Sequence, residues 1–141
     1  WILDSGATDH ISISLQNFSS YKRITPISIA LPNGEIVCSE YSGTVVLNNN
    51  INLQNVFYVP QFSFNLISIS QLVSFKNYEL NFSSHGCTIQ DIQTRKKTFI
   101  AKLIGGLYIL DCSLNILSSA TQFANNVVNK TSLWHLRLGH P

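Results

Sequence analysis

Charge is what this sequence has least of. Charged residues fill 11% of its 141 positions, against roughly 25% in ordinary soluble domains, while 45% of positions are apolar. That balance excludes intrinsic disorder, which needs low hydrophobicity and high charge. No apolar run approaches the roughly 18 residues that a membrane-spanning helix requires, so none is expected. Nine Lys plus Arg stand against seven Asp plus Glu, and a net charge of +2 is too weak by itself to imply nucleic-acid binding. Methionine is absent and the first residue is Trp1, so a piece of a longer polypeptide is expected. No basic stretch leads into an apolar one at the start, and no secretory signal is visible. Cys38, Cys87 and Cys112 are odd in number and far apart, which suits neither a disulfide framework nor a CxxC metal site. Buried thiols in a reducing compartment are the expectation.

What is present reads as short strands. Ile27–Leu31, Glu35–Cys38 and Gly43–Leu47 are rich in β-branched residues and bounded by turn residues. Pro32-Asn33-Gly34 lies between the first two, and Asn-Gly predicts a type I′ hairpin. Asn48-Asn49-Asn50 marks a second turn, followed by a strand over Leu53–Val59 that stops at Pro60. Ser68–Phe75 predicts one or two helical turns with Ile69, Leu72 and Val73 on one face. From about Phe75 the pattern becomes a hairpin-like meander through Tyr78–Phe82, Cys87–Asp91, Phe99–Leu103 and Leu107–Leu110. Residues 113–130, rich in Ser and Asn, read as a linker. Thr131–Leu138 predicts a short helix stopped by Gly139. The fold class that follows is all-β, a barrel or sandwich rather than alternating βα units.

The sharpest chemical feature is Asp4-Ser5-Gly6. An apolar strand, Trp1-Ile2-Leu3, delivers the carboxylate to a Ser-Gly-Ala turn; Gly6 permits close backbone approach and the Ser5 hydroxyl can brace the loop. Aspartic proteolysis needs two carboxylates so close that they share one proton. One Asp-Ser-Gly supplies one carboxylate, so catalysis would require a symmetric dimer using Asp4 twice. Asp9 is a weaker candidate, capping the turn or lining a cleft, and a plain solvated aspartate is the leading reading. The Pro32-Asn33-Gly34 hairpin falls 28 to 30 residues after Asp4, where a flexible lid could close over a bound peptide. Its plainer alternative is an ordinary surface turn. His135 and His140 form H-x4-H, a weak zinc signal alone: on a regular helix they stand about 140° apart. Arg95-Lys96-Lys97 reads as a solvated turn tip.

Trp1-Ile2-Leu3-Asp4-Ser5-Gly6-Ala7-Thr8-Asp9-His10 resembles the protease start of copia-type retrotransposon polyproteins. Leu31-Pro32-Asn33-Gly34, Asn55–Pro60 and Phe64–Leu72 are similar to later blocks of that region, and Gly106–Asp111 and Leu133–Pro141 to the segment leading into integrase. The blocks follow the family's order along the whole chain. The resemblance implies a retropepsin-like β-barrel over residues 1–74, followed by a GAG-pre-integrase region over 75–141 with a small β-meander and a short C-terminal helix. It implies an aspartic endopeptidase that processes its own polyprotein as a homodimer, with polyprotein peptide as substrate.

Carried over by residue, Asp4 matches the catalytic aspartate, with Ser5 and Gly6 bracing it, Ser5 by gripping its partner across the dimer axis. Pro32, Asn33 and Gly34 fall at the flap. Proteolysis needs no cofactor. His135 and His140 match the histidine half of a zinc site whose cysteine pair is expected downstream of Pro141. Nucleic acid is expected only through that downstream integrase, no membrane is expected, and the location implied is intracellular, in the cytoplasm or a virus-like particle. Two departures stand out. The block after Asn65 lacks the glycine of the retroviral pattern, as copia-type elements do, and the further strand or two that retropepsins carry before the aspartate are missing ahead of Asp4. The competing readings are a non-enzymatic β domain of a decayed transposon and a nucleic-acid-associated pre-integrase module.

Overall fold

The computed structural model describes residues 1–47, 51–75, 78–110 and 112. Ten strands and one short helix follow one another: β1 (Ile2–Asp4), β2 (Ile11–Ser12), β3 (Ser20–Ala30), β4 (Ile36–Leu47), β5 (Ile51–Tyr58), β6 (Leu66–Ser68), α1 (Ile69–Phe75), β7 (Tyr78–Ser83), β8 (Gly86–Asp91), β9 (Lys97–Ile104) and β10 (Leu107–Leu110). The fold is all-β, as expected. The strands form a single sheet in the order β3-β4-β5-β2-β6-β1-β10-β9-β8-β7. The barrel is not closed: the order is linear, with β3 and β7 at its two edges.

The sheet nevertheless curls. Val45 and Leu47 of β4 and Ile51, Leu53 and Val56 of β5 share one buried cluster with Tyr78 of β7, Cys87 and Ile89 of β8, Ala101 of β9 and Leu110 of β10. Strands from opposite ends of the order can meet in one core only if the sheet bends round it. Register shifts between Arg23 and Ile27 and between Gly43 and Val45 supply local bends. Leu3, Ile67 and Leu72 complete that cluster, so it runs across the boundary expected between residues 74 and 75. A second cluster, Ile2, Ile11, Val59, Leu66, Leu107 and Ile109, lies apart from the first. Because side chains alternate along a strand, Ile2 and Leu3 feed different clusters from adjacent positions of β1.

β1 is central. It runs parallel to β6 on one side and antiparallel to β10 on the other. The flank of β1 away from β6 is thus taken by the meander, with Leu110 N–H donating to Trp1 O at 2.8 Å. β2 is parallel to β5 and antiparallel to β6, so the region around Asp4 mixes both pairings.

The hairpin of β3 and β4 is longer than the sequence suggested, and its turn is of another kind. Gly34 N–H donates to Leu31 O at 3.0 Å, Leu31 N–H to Glu35 O at 2.7 Å, and Gly34 has φ +88°. Pro32 occupies the second turn position, where its ring fixes a negative φ and forbids type I′. The result is a three-residue loop with glycine in the left-handed place, and the Asn33 side chain accepts from Glu35 N–H at 3.0 Å. Two successive positive φ values occur instead at Gly105 (+55°) and Gly106 (+81°), which join β9 to β10. Helix α1 forms where expected, but only Leu72 of it is buried; Val73 is 50% exposed and does not share the inward face. Asn48-Asn49-Asn50, the linker and the C-terminal helix lie outside the described residues.

Candidate functional site

Asp4 ends β1 as a buried carboxylate, 2% exposed. Gly6 N–H donates to its Oδ1 at 2.8 Å, so the turn closes on the carboxylate itself. A Cβ on Gly6 would meet Asp4 Oδ1 at 3.4 Å, ordinary contact distance, so glycine leaves room here rather than relieving a clash. Ser5 and Gly6 are exposed and Ala7 is buried.

The loop that follows Asp4 is held to β6 and α1 by a series of polar contacts. Ser68 is the register partner of Asp4 in the parallel ladder. Its hydroxyl donates to Ala7 O at 2.7 Å, lies 2.9 Å from Ser70 Oγ and accepts from Gln71 N–H at 3.2 Å. The Gln71 side-chain amide donates to Thr8 O at 2.9 Å and to Asp9 Oδ1 at 2.8 Å. Thr8 Oγ1 donates to Asp9 Oδ2 at 2.8 Å. Asp9 is therefore tied by side-chain bonds to Thr8 and to α1, where a plain solvated carboxylate was the leading expectation.

His10 is 3% exposed, and its Nδ1 accepts from Ser68 N–H at 3.0 Å while its carbonyl accepts from Phe57 N–H at 2.9 Å. An imidazole accepting at Nδ1 carries its proton on Nε2. Burial pushes its pKa from 6.5 down to about 4, against the opposing pull of the Asp9 carboxylate. At neutral pH this histidine is uncharged.

A second anchor stands behind the loop. Asn65 Oδ1 accepts from Ile13 N–H at 2.9 Å and from the Asn17 side chain at 3.3 Å, and its carbonyl accepts from Ile2 N–H at 2.9 Å. One residue thereby fixes the start of β1 and the exit from β2.

The hairpin residues Pro32, Asn33 and Gly34 form an exposed or half-buried tip. Its shoulders are not free: Ile29, Leu31 and Val37 pack against the cluster that contains Ile2, two positions before Asp4. Ile36, just past the tip, is 71% exposed. The structure thus places the turn residues on an arm whose shoulders, next to the tip, pack on the cluster to which Ile2 belongs. His135 and His140 lie outside the described residues. Among the described residues no group of three His, Cys, Asp or Glu is placed to hold a metal ion, and no helix is long and apolar enough to cross a membrane.

Sequence reasoning gave no role to His10, Ser68 or Gln71. One signal was available, since Ser68 falls in the block that lacks the expected glycine, and its hydroxyl is what reaches Ala7.

Comparison with known proteins agrees with this architecture. Over its full length the chain is 30% identical to a retrovirus-related Pol polyprotein from transposon RE1 of Arabidopsis thaliana and 29% identical to that from transposon RE2 of the same plant. It spans about 10% of the length of each of these curated relatives. No solved structure matches. The family model of the Pol polyprotein β-barrel domain matches residues 1–78, from β1 to the first residue of β7. That match covers more than half of the chain, which belongs to the Pol polyprotein β-barrel domain family.

Proposed function

We propose that this chain carries one half of an aspartic endopeptidase site, completed by a second copy, that cleaves the polyprotein of a copia-type retrotransposon. The observation that supports it best is Asp4: a carboxylate buried at the end of the central strand, held by Gly6 N–H in a loop braced at Ala7, Thr8, Asp9 and His10. Such fixing suits a group whose position against a peptide bond must be held closely.

In the dimer two Asp4 carboxylates share one proton, because like charges at contact distance cannot both ionise. The ionised member takes a proton from water as its oxygen attacks the scissile carbonyl. The protonated member donates to the carbonyl oxygen, and the tetrahedral intermediate collapses as the leaving nitrogen is protonated. Ser5, exposed beside Asp4, grips the partner's loop. The β3–β4 arm closes over an extended peptide and supplies strand-like backbone hydrogen bonds. In this reading residues 75–141 lead towards integrase, and His135 and His140 belong to a zinc site completed by cysteines downstream.

The test is cleavage of a peptide spanning a polyprotein junction, followed across protein concentration and pH, with the chain in its flanking polyprotein sequence. Specific activity should fall on dilution through the dimer dissociation constant. Asp4→Asn should abolish cleavage while leaving the fold, since the amide is nearly isosteric but accepts no proton. Full activity in Asp4→Asn, or turnover per chain independent of concentration, would leave a non-catalytic β domain.

A further inference from the structure

The residue opposite Asp4 is controlled by a side chain that takes no part in the chemistry proposed above. Ser68 pairs with Asp4 in the ladder, and its N–H is given to His10 Nδ1 at 3.0 Å. The hydroxyl of the same serine holds Ala7 O at 2.7 Å. One residue of β6 therefore grips the loop at Ala7 and at His10, on either side of the Thr8-Asp9 tip.

We propose that His10 is a positioning residue for Asp4: as a neutral imidazole it latches the loop of residues 4–10 to Ser68, and it releases that latch when it takes a second proton. The proposal rests on the reading of Asp4 as a peptidase carboxylate. Its chemistry is simple. A protonated imidazole carries N–H groups at both Nδ1 and Nε2 and has no lone pair left to accept from Ser68. Two donors would then face each other in a buried place, and one must move.

The surroundings decide how readily that happens. Asp9 is the charge that acts on His10, from its own loop, and its oxygens are occupied by Thr8 Oγ1 and the Gln71 amide. β6 and α1 bring the neutral Ser68, Ser70 and Gln71 to this loop. β1 contributes Asp4, opposite Ser68, and β5 contributes the Phe57 N–H, which is bonded to the His10 carbonyl. Both ion pairs of the described residues, Arg23–Glu40 and Arg95–Glu79, lie elsewhere. Burial keeps the imidazole neutral until the solution is acidic, outweighing the Asp9 carboxylate, which favours the protonated form; that acidic range is the one an aspartic dyad favours.

The experiment compares His10→Asn and His10→Leu with the parent chain, each in its flanking polyprotein sequence, by two readouts. The Asn side chain places an oxygen near the position of Nδ1, so it keeps an acceptor for Ser68 N–H and does not titrate; Leu keeps bulk and loses the acceptor. The first readout is the amide resonances of Ser68 and Gly6 from pH 7 down to pH 3.5. They should shift together with the His10 imidazole in the parent and stay level in His10→Asn.

The second readout is cleavage. The acid limb of kcat/KM should move to lower pH by about one unit or more in His10→Asn, which no longer titrates. At neutral pH His10→Leu should lower kcat by about ten- to a hundredfold with little change in KM, as a misplaced carboxylate would, and His10→Asn should restore most of that loss. Amides that ignore the His10 titration, or a His10→Asn pH profile that overlays the parent, overturn the latch and leave the peptidase reading standing. Amides that follow it in a chain that cleaves nothing leave the latch standing and remove the peptidase. If His10→Leu fails to fold, the parent titration and His10→Asn still decide.

Discussion

Ile2 of β1 faces Ile109 of β10 across an antiparallel ladder, while on its other side it pairs with Leu66 of β6. The strand that carries Asp4 is therefore fastened from one side by the meander beyond α1. The same joining appears in the core, where Ile51 of β5 and Ile89 of β8, both 0% exposed, belong to one cluster.

Ile51→Ala and Ile89→Ala should accordingly destabilise one cooperative unit. Each removes buried methyl groups from a closed core, at a cost of about 2–5 kcal/mol. Thermal or urea unfolding should show a single transition, displaced downward by either substitution. Two transitions, each sensitive to only one of the variants, would show two independent cores.

Stability should also fall in acid, and His10 sets part of the window. Its folded pKa, about 4, lies below the ordinary 6.5. Between these values the unfolded chain binds a proton that the folded chain does not, so stability rises with pH through this range. The contribution is full above about 6.5, is lost progressively as pH falls, and is gone below about 4. It amounts to up to about 3 kcal/mol. Urea midpoints from pH 7 to pH 4 should drop in the parent and drop less in His10→Asn.

The cysteines should separate by reactivity. Cys87 is 1% exposed, and burial raises its thiol pKa to about 11, whereas Cys38 on β4 is exposed. At pH 8 a thiol reagent should modify Cys38 within minutes and reach Cys87 only on unfolding, since the thiolate is the reactive form. Peptide mapping after brief alkylation would show it. The expectation of buried thiols fails at Cys38, which is exposed on β4 where that strand pairs with β3 close to the hairpin turn.

Gly43→Ala should loosen the base of that hairpin. A Cβ there would collide with the Ser20 carbonyl oxygen and come within 2.7 Å of Tyr21 Cα, so β3 and β4 cannot keep their spacing. A cost of about 1–3 kcal/mol is expected, with faster amide exchange at Tyr21 and Lys22. Unchanged exchange at those amides would mean the strands absorb the methyl group elsewhere.

Much of this architecture was legible because strands and glycine turns write themselves in local sequence. Leu107–Leu110 and its Gly105-Gly106 turn could be read directly, as could the delivery of Asp4 by an apolar strand. The turn at Asn33 could not be typed from Asn-Gly alone; Pro32 ahead of it decides the geometry by fixing its own φ. Long-range pairing was out of reach. Nothing near β1 tells that β10 will lie beside it, and nothing near His10 tells that its acceptor will be met by the amide of Ser68, 58 positions on. The open sheet has the same origin, since closure depends on which edges meet and alternation within a strand is silent on that.

The pairing of β1 with β10 has a consequence for the order in which the site is made. Trp1 and Leu110, which bond backbone to backbone, are 109 positions apart. At a synthesis rate of roughly 5–20 residues per second, β1 waits roughly 5–20 s for that neighbour after it has been made. Through that interval Ile2 and Leu3 lack one of their two flanking strands. The ribosome thus imposes a delay between translating the aspartate and completing the sheet around the strand that holds it.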